Sequence, residues 1–504
     1  MKNQTENQNT FDQTSGLAIA KWMAVPTANA SGAIKRSLIG GCLLCGGLLH
    51  AGFGEVASGF AGMLQETAAV AESTPAKPKA QQPTSPIGKW VQENMEWLSE
   101  HYTYLHRNPE LSFEEEKTAD YLAMLLEKME LQVTRQVGGF GLVGMLENGP
   151  GPTVMLRTDL DALPVTEATQ LRYASKVKVP DATGVEVGVM HACGHDVHMT
   201  NLLGVTRYLA EHKEQWSGTL MVIGQPAEER GAGARAMLED GLFEKFPKPD
   251  FALALHVDAS LAAGKVGVRE GYTLANVDSV DITMLGKGGH GAEPNNAIDP
   301  VVQAAELVMS LQTIVSREVK PTEPAVVTVG SIHGGTKHNI IGDRCHLQLT
   351  VRSYSDDVRK HVLEAIQRKA NAVAAGARAP EPEFSVSEGT PALYNDDELA
   401  GRMRTVFENA IGKDNVVPAE QVMGGEDFSQ YGRAGVPILM FRLGTVETSR
   451  LDRMKKFGAV PGLHSALFYP DFEQCIPAGI EAMTAGVLEL MPAEGAAAKE
   501  ASEE

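Results

Sequence analysis

The sequence predicts an α/β protein: a central, mostly parallel sheet flanked by helices forms the catalytic domain, and a smaller α+β unit of ferredoxin-like order is inserted into it. Two observations lead there. From Trp90 onward the apolar residues switch repeatedly between a helical and a strand period, as alternating helices and strands require. Between about Ala275 and Phe384 the pattern takes the order βαββαβ, and the first kind of pattern resumes at Glu398.

Residues 1–87 read as a leader and linker. A polar start reaches Lys35 and Arg36, an apolar run follows from Leu38 to Leu49, and small residues take over, which is the order of an export signal. The run is shorter than the roughly 20 residues of a spanning helix. Ala69, Val70 and Ala71 offer a cleavage site, and an uncleaved anchor is the alternative. Export to the periplasm or the outside is therefore expected. The Pro, Ala, Lys and Gln content from Glu72 to Pro86 suits a linker.

Residues 88–274 supply the first part of the catalytic domain. Ser112 with Glu115 forms the pattern of a capping box, opening a helix whose apolar stripe is Ala119, Leu122, Leu125, Leu126 and Met129. Thr153 to Arg157, Thr219 to Gly224 and Phe251 to Leu255 are nearly continuous apolar runs, as in strands covered on both faces. Residues 275–385 form the inserted unit. Its expected strands are Val277 to Met284, Ala325 to Ile332, Cys345 to Arg352 and Glu383 to Glu388; its helices are Pro300 to Val315, capped by Asp299, and Asp357 to Ala375. Residues 386–492 complete the catalytic domain with a last apolar strand, Val436 to Leu443, ahead of His464. The Ala/Glu tail, 493–504, reads as a disordered acidic end.

Composition excludes some functions. A formal charge of -20 leaves no basic surface for nucleic acid or anionic lipid. Five cysteines in 504 residues are too few for a disulfide framework. Cys42 and Cys45 lie in the apolar leader without the flanking pattern of a redox pair.

Chemistry collects where strands end. In open α/β sheets ligands sit beyond the carboxyl ends of the strands. Asp159, the Glu228/Glu229 pair and His256 lie at three such ends, and the cluster His191 to His198 just precedes a helix. In MHACGHDVH, Cys193 and His195 stand two apart beside Asp196; thiolate and imidazole suit zinc, and a neighbouring carboxylate can orient a ligand histidine. In QPAEER, adjacent carboxylates point different ways, so one can hold a metal while the other takes a proton from water, and Gly231 and Gly233 loosen the backbone after them. His256 closes FALALH, and His464 sits in PGLHS before a helical pattern.

MHACGHD, QPAEE, ALHV, GKGGHGAEP, RTDLDALP, GGEDFS and the closing LHS together resemble the dinuclear-metal amidohydrolases and peptidases, the branch of hippurate hydrolases, N-acyl amino acid amidohydrolases and auxin-conjugate hydrolases. The resemblance spans about Trp90 to Met491. It implies that Cys193, His195, Glu229, His256 and His464 hold two divalent metals, with zinc, manganese, cobalt and nickel all acceptable to such a set. Glu228 is then the general base that takes a proton from the attacking water and returns it to the leaving amine. Asp159 and Asp196 are supporting residues. The inserted unit mediates a homodimer in similar proteins, and His290 there stabilises the oxyanion, reaching toward the partner's site. Asn339 and Arg352 match substrate-contacting positions, where a guanidinium suits a free carboxylate.

The activity so implied is hydrolysis of small N-acyl amino acids or short peptides. A carboxypeptidase or dipeptidase on the same site, a cysteine hydrolase built on Cys193, and a non-catalytic metal-stabilised binding protein are the alternatives. Three positions depart from the pattern: Asn295 where a histidine is frequent, Gly342 where a proline follows the NxI stretch, and Arg230 where glycine is usual. None removes a ligand or the base, so they bear on specificity.

Overall fold

The computed structural model describes residues 85–493 apart from 182 and 459–461. The export signal, the linker up to residue 84 and the acidic tail from 494 lie outside the described residues. The folded part begins earlier than the linker reading expects. Ser85 caps a helix, Pro86–Glu93, by accepting from Gly88 N at 2.8 Å, and its hydroxyl donates to Glu481 in the last helix at 2.7 Å.

An eight-stranded sheet forms the centre, in the order Gln132–Arg135, Leu142–Asn148, Gly218–Gln225, Thr153–Asp159, Phe251–Ala262, Ile438–Val446, Val266–Val268 and Val416–Pro418. The four strands from Gly218–Gln225 to Ile438–Val446 run parallel, and the strand next to them on either side, Leu142–Asn148 or Val266–Val268, runs antiparallel to its neighbour in the four. Both faces are covered, which explains the continuous apolar runs. Val154 and Leu156 enter the core that includes the helices Glu116–Lys128, His195–Glu211 and Phe472–Leu490, whereas Met155 enters a second core beneath Gly233–Glu239 and Ser429–Arg433. The expected stripe of Ala119, Leu122, Leu125, Leu126 and Met129 is buried.

The capping box does not form. The helix starts at Glu116, and the Ser112 hydroxyl donates instead to Asp161 at 2.6 Å. Glu115 accepts from Phe113 N and from Ala227 N, each at 2.8 Å. Both intended cap side chains are drawn away by loops at the end of the sheet.

The inserted unit has its own antiparallel sheet, ordered Ala325–Gly334, Arg344–Ser353, Asn276–Leu285, Glu383–Glu388. Pro300–Thr313 and Asp356–Gly376 pack on it around a separate core that includes Ile282, Leu307, Leu347 and Ile366. Asp299 caps the first of these helices as expected, accepting from Val301 N at 2.9 Å. Cys345, Leu347, Leu349 and Val351 point inward as the alternation requires. Contacts that join this unit to the larger one include Arg352 Nη1 donating to Met423 O at 2.6 Å, Val277 N donating to Thr390 O at 3.0 Å, and Arg433 paired with Asp356. No described helix is long and apolar enough to cross a membrane.

Candidate active site

The histidine cluster does not merely precede a helix; His195 is its first residue. Gly194 makes the turn possible at a φ of 78°, and a Cβ there would lie 2.6 Å from Val257 Cγ2. The helix then runs buried through Val205, which fixes Cys193 and His195 on a rigid element. Glu228 and Glu229 sit in a 3₁₀ turn after Gln225. Ala227 before them has a left-handed φ of 49°, rare for a residue with a Cβ. Two carboxylates hold that strained turn by its backbone: Glu115 at Ala227 N, and Asp161 at Glu229 N at 3.0 Å. The glycines after the pair act by close approach rather than by loosening, since a Cβ on Gly233 would stand 1.5 Å from Pro226 O.

His256 lies mid-strand, because Phe251–Ala262 continues past it. His464 is followed by turns, and the next helix begins only at Phe472. Its φ is 65°, and its N–H donates to Ala192 O at 2.9 Å, tying it to the cysteine loop.

These segments bring the five expected ligands together. Ligand atoms of Cys193, His195 and His256 fall within 4.8 Å of one another, as do those of Cys193, Glu229 and His464, and those of His195, Glu228 and Glu229. Cys193 Sγ is 3.6 Å from His256 Nε2, and His464 Nε2 is 3.5 Å from Glu229 Oε2. Hydrogen bonds set the tautomers. His195 Nδ1 donates to Asp161 O and His256 Nδ1 to Val257 O, both at 2.8 Å, which leaves each Nε2 lone pair facing the cluster.

The donor set fits divalent cations. His195 Nε2 and Glu229 Oε1 are buried without a hydrogen-bond partner, 3.8 Å apart. Burial pushes the Glu228 carboxyl well above its usual range, with Glu426 and Glu229 adding to it, and burial raises Glu229 to about 7 against the pull of His195. Buried anions need positive charge among them, and cations at these lone pairs supply it. Burial also pushes the Cys193 thiol well up, the reverse of what a cysteine nucleophile needs.

The supporting residues differ from expectation in one respect. Asp159 takes the expected place beside the set, bonding His198 Nδ1 at 2.7 Å and Arg157 Nη1 at 2.8 Å. His198 Nε2 accepts from Val257 N at 3.0 Å, so this histidine is committed to structure. Asp196, however, does not orient His195. Facing away, it accepts from His106 Nδ1 at 2.7 Å, and the orienting group is Asp161.

His106 has a carboxylate at each ring nitrogen, Asp196 at 2.7 Å and Glu167 at 3.2 Å. Burial opposes its charge, but the two hydrogen bonds prevail and raise it from 6.5 to about 9. A raised histidine stabilises the fold fully below the unfolded value and loses that contribution as pH rises through the folded one. About 3 kcal/mol of stability is thus expected to fade between pH 6.5 and 9. Urea unfolding across that window checks it: wild type loses stability and His106→Gln, less stable at pH 6.5, shows a flatter profile.

The residues expected on the inserted unit stand apart from the cluster. His290 is exposed in the short strand Gly289–His290, paired with Ile340–Ile341, and Asn339 O accepts from the neighbouring Gly291 N at 2.9 Å. Arg352 is occupied by Met423 O and by Thr350 Oγ1 at 3.3 Å. Among the described residues no hydrogen bond or ion pair links these three side chains to the cluster.

Comparison with known proteins gives the family. The family model described as Peptidase family M20/M25/M40 matches residues 155–456. The chain belongs to the M20 family. The "Thermostable carboxypeptidase 2" of Saccharolobus solfataricus is 34% identical over 76% of this chain and 92% of its own. The "N-acetyldiaminopimelate deacetylase" of a Geobacillus strain is 39% identical over 68% of this chain and 87% of its own. Among solved structures, a Bacillus subtilis dinuclear metal binding peptidase of the M20 family superposes with a TM-score of 0.65 at 29% identity, over 79% of this chain and 99% of that one. This M20 chain is accordingly a metal-dependent hydrolase of the amidohydrolase and peptidase class.

Several M20 site residues escape sequence reasoning. Arg157 is wholly buried and bonds Gln225, Asp159, Glu426 and Asp427 at 2.8–3.0 Å, collecting three carboxylates beneath the base. Glu426 and Asp427 were visible only as letters of GGEDFS. Asp161 stood two residues from Asp159, at the next same-facing position, and that spacing was the available signal.

Proposed function

We propose that the enzyme hydrolyses the amide bond of small N-acyl amino acids, with Cys193, His195, Glu229, His256 and His464 holding two divalent cations. The observation that carries this is Glu228. It is a buried carboxyl 3.8 Å from His195 Nε2, beside Glu229 at the edge of the ligand set and close to Glu426 and Asp427 on its other side. Bound cations supply Lewis-acid polarisation of the substrate carbonyl and a lowered pKa for water. Glu228 takes a proton from the attacking water on its carboxylate and returns it to the departing nitrogen. Asp161 and Glu115 hold the turn that aims Glu228, and the Asp161 carbonyl fixes the tautomer of His195.

Short peptides are the second reading, favoured by the carboxypeptidase relative. His290, exposed on the inserted unit, would serve as an oxyanion donor in the partner's site of a homodimer. The test is a panel of N-acyl amino acids and dipeptides against the full chain reconstituted with zinc, manganese, cobalt or nickel, with metal content and solution mass measured. N-acetyl amino acids are expected to turn over in a dimer. Cleavage of dipeptides alone would move the function to the second reading, and no turnover with any loaded metal would leave a binding protein.

A further inference from the structure

His464 is the ligand that the fold holds least directly. Cys193 and His195 stand at the start of a buried helix, His256 lies inside a strand, and the turn of Glu229 is held by two carboxylates. Cys193, His195 and His256 are buried and the Glu229 side chain is 9% exposed, whereas that of His464 is 56% exposed. It comes from a stretch, 462–467, with neither helix nor strand, and its own φ is left-handed. A ligand on such a stretch is placed only as well as its supports. Among the described residues two backbone hydrogen bonds tie 462–467 to distant parts of the chain: His464 N donates to Ala192 O, and Ala466 O accepts from Ala168 N, both at 2.9 Å.

The second of these needs a support of its own, because Ala168 is exposed on an irregular segment. The residue before it, Glu167, turns its carboxylate inward until it is fully buried. Burying such a group is costly unless donors meet it. Three do: His106 Nε2 at 3.2 Å, Ser175 N at 2.6 Å and the Thr169 hydroxyl. His106 is fixed in turn through Nδ1 to Asp196 at 2.7 Å, on the helix that begins with His195. A chain of contacts thus runs from that helix through His106, Glu167 and Ala168 to the loop of His464.

We propose that Glu167 and His106 are positioning residues for His464, so that the cation gathered by Cys193, Glu229 and His464 is retained only while they hold its loop, and the group Cys193, His195 and His256 is independent of them. This rests on the ligand set of the amide-hydrolase reading above. Without the Glu167 carboxylate the segment of Ala168 loses its inward anchor, and with it Ala466 O loses its donor. The other ligands stay on rigid elements.

Calorimetric binding of zinc to the metal-stripped full chain tests it. Wild type is expected to take up two cations. In Glu167→Ala one should bind as in wild type and the other about 10- to 100-fold more weakly, the usual cost of removing a group that orients a ligand. His464→Ala should weaken the same cation, and adding Glu167→Ala to it should cost nothing further, because both act through one ligand. Glu167→Gln, which keeps an acceptor for His106, should lose less than Glu167→Ala. Both cations bound by Glu167→Ala as tightly as by wild type, both weakened alike, or a double variant showing the sum of the single losses would each overturn the proposal. If Glu167→Ala does not fold, Glu167→Gln decides: weakening confined to one cation supports the assignment, and no change or equal weakening of both overturns it. A His464→Ala chain that binds both cations like wild type would defeat the ligand set itself, a result distinct from any of these.

Discussion

Glu228→Gln is expected to lower kcat for amide hydrolysis by about 100- to 10,000-fold, with fold and metal content unchanged. The two side chains have the same shape, so the turn held by Glu115 and Asp161 has no reason to move. What disappears is the capacity to accept a proton. The sign of the stability change separates this from damage. Glu228 is buried close to Glu229 and Glu426, and after burial itself both carboxylates disfavour its ionisation. An uncharged amide relieves that repulsion, so the melting temperature should hold or rise. Equal rates for variant and wild type would remove Glu228 from the mechanism.

Chelation is expected to abolish activity and lower the melting temperature, and restoring the metal should reverse both. Without cations the protein must keep His195 Nε2 and Glu229 Oε1 buried and unpaired while holding several carboxyls close together. A ligand present at about 1,000 times its Kd stabilises a fold by about 4 kcal/mol, enough to see by calorimetry. Activity that survived complete metal removal would revive a cysteine nucleophile, yet burial holds the Cys193 thiol in its unreactive form.

Much of this was legible because it is local. An apolar run such as Thr153 to Arg157 announces a strand covered on both faces, and the βαββαβ order announced the inserted unit before its sheet was seen. Cys193, His195, Glu228 and Glu229 lie in two short motifs. Partnerships made across the fold were not legible. The residue ahead of a helix looked like a cap, but Ser112 found Asp161, 49 positions away. Asp196 looked like an orienting group for its neighbour, yet on a helix adjacent residues point apart, and it met His106 on the far side.

The inserted unit has a consequence for how the protein is made. Strand Ile438–Val446 fits between Phe251–Ala262 and Val266–Val268, yet is translated after the whole insertion. When Cys193, His195, Glu229 and His256 leave the ribosome, the sheet is open along one side and His464 does not yet exist. The insertion, with its own core, can settle while the larger unit waits. Stable metal capture should therefore come at the close of synthesis, with a chain truncated before Ile438 unable to retain its cations.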